Sequence, residues 1–260
     1  MKRLQTIAVY VVALALTGAF AVKSDQPGTI RGRAIVRTVI GQASYNAGGG
    51  QMALHANMEL DPGATITTGP DSIVYLNVNG LSSSVRIQGD TTVAIPQMDR
   101  IGAAREGDSV TMLDLKTGSI LGQVKKVSGN SSYTIKTPHG VAGIRGTDFE
   151  VEVRPMPDGK FQSTFTSVQG TVIVSAVVSG EIQTRTLKTG DSWTPGEGEP
   201  HPLPQNVIDQ YEGWINGFPT ENPVGPTPIP IRPTFPTGSP PGQTPPSPNS
   251  TTDGGGGGED

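Results

Sequence analysis

Short runs rich in β-branched and aliphatic residues recur along most of this chain, each closed by a turn signal. The clearest occupy 72–78, 84–88, 91–95, 109–115, 119–127, 132–137, 148–154, 160–168, 171–178 and 181–187. Turn residues separate them at Asn79-Gly80, Gly89-Asp90, Lys116-Thr117-Gly118, Pro157-Asp158-Gly159, Gln169-Gly170 and Ser179-Gly180. Strands this short, punctuated this often and without an amphipathic helix between them, predict an all-β fold. A sandwich, roll or barrel of many antiparallel strands fits the spacing, and a βαβ fold does not.

Periodicity within the runs assigns faces. In 148–154, Phe149, Val151 and Val153 alternate with Glu150, Glu152 and Arg154, which predicts an antiparallel strand with one wet face. In 171–178 both parities are apolar, which predicts a central strand covered on both faces. The glycine-rich stretch 41–51 lacks the Lys-Ser/Thr pair of a phosphate loop and reads as a flexible surface insertion between two strands. One helix is predicted, at 206–218, where Val207, Ile208, Tyr211, Trp214 and Ile215 fall at helical spacing before Gly217. It reads either as a closing helix packed on the sheet or as an aromatic docking segment in which Tyr211 and Trp214 meet a partner.

The two ends differ in character from this body. Lys2 and Arg3 precede an apolar run at 7–20 that ends in Ala19-Phe20-Ala21, the layout of a secretory signal peptide cleaved after Ala21. A single membrane anchor is the alternative, but the run is short of the roughly 20 residues a spanning helix needs. From 219 to 260 the chain is rich in Pro and Gly and predicts a disordered tail, a spacer or exposed extension. The domain layout is therefore a signal peptide at 1–21, an all-β domain at 32–200, a helix at 206–218 and the tail at 219–260. The domain is either one core or two subdomains, 32–96 and 99–195. After cleavage no transmembrane segment is expected, and the location is periplasmic, secreted or at the cell surface.

Charge and candidate chemistry narrow the function classes. A net charge of -4 without basic clusters argues against nucleic acid. With no cysteine and only His55, His139 and His201, neither disulfides nor the softer metal sites are expected, and no cofactor is implied. Asp61, Asp71, Asp90, Asp158 and Asp191 stand beside Pro or Gly, where a carboxylate caps its own turn. The serines lack a nucleophile elbow, and His139 has no nucleophile marked out beside it. No enzyme is expected.

The stretch YTIKTPHGVAGIRGTDFEVEV at 133–153, two alternating segments around a Pro- and Gly-broken loop, resembles the most recognisable part of FecR-like domains of the bacterial envelope. The positions that carry the resemblance are Ile135, Thr137, Pro138, Ala142, Gly143, Ile144, Arg145, Gly146, Thr147, Asp148 and Phe149. Val168-Gln-Gly-Thr-Val172, Leu187-Lys-Thr-Gly-Asp191 and the stretch LDPGATITTGPDS at 60–72 extend it, so that it covers roughly 32–195. The resemblance implies a periplasmic domain that reads a transporter and reports to a sigma factor. This chain has neither a cytoplasmic segment before its apolar run nor an internal membrane helix, so direct transmembrane signalling is not expected.

Thr137, Pro138, Gly143, Gly146, Thr147, Asp148 and Phe149 are then expected to be structural, with Arg145 either paired to Asp148 or touching a ligand. Arg145, Tyr211 and Trp214 are the candidate partner-binding residues. The reading is an exported, non-enzymatic FecR-like binding or regulatory module that recognises an envelope protein or a glycan. The alternative is a structural envelope or surface protein with a self-associating β body and a proline-rich spacer.

Overall fold

The computed structural model describes residues 28–79, 83–101, 108–125 and 131–219. The expected signal peptide, the tail from residue 220 onward and Gly80 of the first predicted turn lie outside them. The N-terminal half contains β1 (Thr29–Arg31), β2 (Ala34–Ile40), β3 (Ala43–Asn46), β4 (Gln51–Ala53), β5 (Glu59–Leu60), β6 (Thr65–Thr68), β7 (Ile73–Val78), β8 (Ser83–Ile87) and β9 (Thr92–Ile101). The second half adds β10 (Asp108–Val124), β11 (Ser132–Lys136), β12 (Gly140–Ile144), β13 (Thr147–Pro155), β14 (Phe161–Gln169) and β15 (Thr171–Val178). It ends with β16 (Glu181–Lys188), β17 (Asp191–Trp193), β18 (His201–Pro202) and the helix α1 (Gln205–Asn216).

The strand registers divide these elements into two sheets. In the first, β4, β3, β6 and the start of β9 pair in that order. The same sheet continues from β9 through β10, β11, β12 and β15 to β16. In the second, β5, β2, β7, β8, the end of β10, β13, β14, β17 and β18 follow one another. All these pairs are antiparallel except β10 with β11, which is parallel. Buried apolar side chains from both sheets form one cluster extending from Ala34 to Trp193.

The all-β expectation matches the structure, with four differences of detail. The turn predicted at Lys116-Thr117-Gly118 does not form; 109–115 and 119–124 fuse into β10, while 126–127 of the second predicted run lie outside the described residues. Two register shifts and a left-handed Gly118 (φ +89°) absorb the turn residues, and the strand passes from the first sheet to the second there. Likewise β9 continues beyond 95, because Pro96 is exposed and falls opposite the shift at Met112/Asp114, where a missing N–H costs no ladder bond. The presumed insertion at 41–51 contains β3 and the start of β4, which form a hairpin, with Gly41, Gln42 and the tip at 47–50 outside the ladder. Finally, the broken stretch 138–146 is not one loop. Gly140 and Gly143 lie inside β12, whose small residues fit between β11 and β15.

Two face assignments are also corrected. β15 lies between β12 and β16, yet it is covered on one face only. Val172, Val174 and Ala176 are buried, whereas Ile173 and Val177 are exposed. The face of β13 predicted to be wet is dry at Glu150 and Glu152, both buried, whereas Arg154 is exposed as expected. What covers it is α1, whose buried residues are Val207, Ile208, Tyr211, Trp214 and Ile215.

Candidate binding surface

The motif stretch forms two linked turns. At the first, Thr137 is buried. Its hydroxyl donates to the Gly140 carbonyl (3.1 Å) and accepts from the Gly140 N–H (3.1 Å), while the Thr137 N–H donates to the same carbonyl (2.8 Å). Pro138 is exposed at its tip. The second turn, Arg145-Gly146, needs a left-handed residue, and Gly146 supplies it at φ +61°. The buried Thr147 hydroxyl reaches both the Arg145 carbonyl (3.1 Å) and the Thr171 carbonyl (2.9 Å), fastening this turn to the start of β15.

Phe149 is fully buried beside Tyr133, with ring centroids 6.2 Å apart. It packs over Gly122 so closely that a Cβ there would lie 2.3 Å from the ring. The expected pair between Arg145 and Asp148 is not formed: Arg145 is exposed and makes no ion pair among the described residues. Asp148 interacts instead with Gln123, its neighbour across β10. Partial burial raises its pKa, the Gln123 hydrogen bond opposes that, and the nearby Glu212 adds to it. The spacing of three residues was misleading, because a turn and a strand start intervene and alternation sends the two side chains apart.

Tyr211 and Trp214 meet the chain's own body. The registers set Tyr75, Arg86, Leu121, Glu150, Thr166 and Ser192 in one row across the second sheet. Above that row, Trp214 lies 4.5 Å from the Arg86 guanidinium and Phe218 packs edge-on to Tyr75 at 5.7 Å. The Tyr211 hydroxyl donates to Glu150 Oε2 (2.8 Å), and Ser119 donates to Glu150 Oε1 (2.9 Å). Burial lowers the pKa of Arg86 and raises that of Tyr211, the latter further because its phenolate would face the Glu150 charge. This buried polar row was missed in the sequence. The signal for it was an arginine and two glutamates on strands otherwise built for a core.

The first sheet has the opposite arrangement. On the outer face of β12, β15 and β16, Val141, Ile173, Val177 and Ile182 are exposed, Ile182 to 78%. Ile182 stands directly opposite Val177, and Val141 opposite Ser175. Among the described residues, α1 covers the polar sheet face and no element covers this apolar one. Elsewhere, shallow polar hollows flank the β3–β4 hairpin, lined by Ser44, Tyr45, Gln51 and Thr67 among others. No cluster of His, Asp or Glu able to hold a metal occurs among the described residues.

Comparison with known proteins agrees with the motif. The family model described as FecR protein matches residues 64–183, so the chain carries a FecR-family domain there. The match contains the whole of 133–153, whereas 32–63 and the turn at 187–191 fall outside it. Two crystal structures of a candidate anti-sigma factor from Parabacteroides distasonis ATCC 8503 are also similar, at 12% identity and TM-scores of 0.40 and 0.39. Each covers 59% of this chain, which spans 65% and 64% of theirs. No curated protein matches the chain. Among the described residues, no helix is long and apolar enough to cross a membrane.

Proposed function

We propose that this chain is an exported binding or regulatory module of the bacterial cell envelope, and that it works by recognising a protein partner. The carrying observation is the FecR-family domain over 64–183, whose motif turn presents Arg145 to solvent on a rigid mount. The Arg145-Gly146 turn is fastened to β15 through Thr147, so the backbone that carries the exposed guanidinium is held in place while the guanidinium itself is not used by the fold. An exposed arginine on an anchored turn suits a carboxylate-bearing protein surface, where its planar donors form paired hydrogen bonds. The basic start and apolar run at 2–20 support export.

The test is affinity capture by the purified chain from envelope extracts of its own host, comparing wild type with Arg145→Ala. One dominant envelope protein, other than the chain itself, should be recovered and lost with the variant. Recovery of only cell-wall polymer or wall-linked proteins, equally by both, would replace this reading with an architectural role.

A further inference from the structure

We propose that β16 is the seam of a two-fold dimer, in which two copies of this chain join their first sheets edge to edge with Gln183 opposite its own counterpart. Among the described residues, β16 pairs residue by residue with β15 and has no other strand partner. No backbone hydrogen bond outside the ladders reaches it. It is eight residues long and contains no proline, and its register with β15 shows no bulge. Side chains engage only the Thr184 carbonyl (Arg185, 3.2 Å) and the Lys188 N–H (Asp191, 2.9 Å), and an edge of that length is a template for another strand.

The choice of a second copy comes from the charges along the strand. By alternation Glu181, Gln183, Arg185 and Leu187 share one face, and Ile182, Thr184 and Thr186 share the other. Two identical strands joined in one continuous sheet must place like parity opposite like parity, which leaves few registers. With Arg185 on the axis, two guanidinium groups confront each other. With Thr184 on the axis, Glu181 meets Leu187, and with Ile182 there, Glu181 meets Gln183. With Gln183 on the axis, Glu181 of each copy stands opposite Arg185 of the other, giving two symmetry-related ion pairs.

Both partners are ready for that pairing. Glu181 makes no ion pair among the described residues. Arg185 is held beside the edge by the Trp193 ring (5.6 Å), by Glu199 (2.8 Å) and by the Thr184 carbonyl (3.2 Å), and its five N–H donors leave room for a second carboxylate. On the outer face the same register sets Ile182 opposite Thr184 and diagonal to the other Ile182, within reach of side-chain contact. The exposed stripe of Val141, Ile173, Val177 and Ile182 then continues across the axis. Because the contact is isologous it closes at two copies, unlike an open filament.

The test uses the full purified chain in sedimentation equilibrium at low salt, with each variant checked for an unchanged circular dichroism spectrum. Wild type should dimerise. Glu181→Arg and Arg185→Glu should each weaken the dimer at least about tenfold, since each turns two attractions into two repulsions. The double variant carrying both reversals should recover it. A second measurement is independent of Arg185: the chain has no cysteine, so Gln183→Cys offers a single thiol on the axis. Mild oxidation should link Gln183→Cys far faster than Lys116→Cys, which is exposed on another strand. A monomer at all concentrations overturns the proposal. So does a dimer that ignores both reversals and does not link at position 183. Neither result bears on capture of an envelope partner, which is read separately through Arg145.

Discussion

Glu150 is a buried carboxylate that accepts from two hydroxyls, Ser119 on the neighbouring strand and Tyr211 on the helix. Removing one donor takes a hydrogen bond away from a buried carboxylate, which costs more than an average hydrogen bond. Tyr211→Phe is therefore expected to lower unfolding stability by about 1–3 kcal/mol, read from urea denaturation. Asp148 presents the converse case. Its raised pKa means that the fold favours the protonated form, so wild-type stability declines as pH rises above the ordinary value of 3.8. Asp148→Asn keeps an acceptor for Gln123 and carries no charge. Its melting temperature should exceed that of wild type at pH 7, and the gap should close below about pH 3.8. A variant uniformly less stable at both pH values would mean that the carboxylate is paired more favourably than its setting indicates.

At the scale of elements, α1 is held by what it covers. It has no side-chain cap at its start, no acidic residue in its first turn and no basic residue in its last. Its anchors are Trp214 over Arg86 and Tyr211 on Glu150. Trp214→Ala should cost about 3–5 kcal/mol if the helix stays on the cooperative body, and less if it detaches locally. Hydrogen exchange separates the two: we expect faster exchange confined to 205–216, with the β13 and β14 ladder still protected.

The same elements show what the sequence made legible. The helix and the residues it buries followed from spacing, and most strands after residue 72 followed from β-branched runs between turns. The dry face of β13 did not, because alternation separates two faces without saying what lies on each. Glu150 is covered by Tyr211, 61 positions away, and no local pattern encodes that distance. β10 was misread for a related reason. Gly118 signals a turn locally, but pairing with β9 on one side and β13 on the other carries the strand through it.

The motif around Arg145 was recognisable as a motif, yet its pairing was not. Whether Arg145 meets Asp148 depends on a turn and a strand register, not on their separation in sequence.

For the molecule as a whole, the two outer faces are used differently. Among the described residues, the second sheet turns a row of buried polar groups to its own helix, while the first leaves apolar side chains and the β16 edge uncovered. An exposed apolar stripe of this kind is unusual on a protein with no use for it. Together with the FecR-family domain and the exposed Arg145, this asymmetry supports the binding role proposed above. The direct measurement is photo-crosslinking in the living host from a reactive residue placed at position 145, with position 116 as the control. We expect one discrete adduct with an envelope protein, formed from 145 and absent from 116. Equal, diffuse labelling from both positions, or no protein adduct at all, would contradict a partner-binding role for the FecR-family domain.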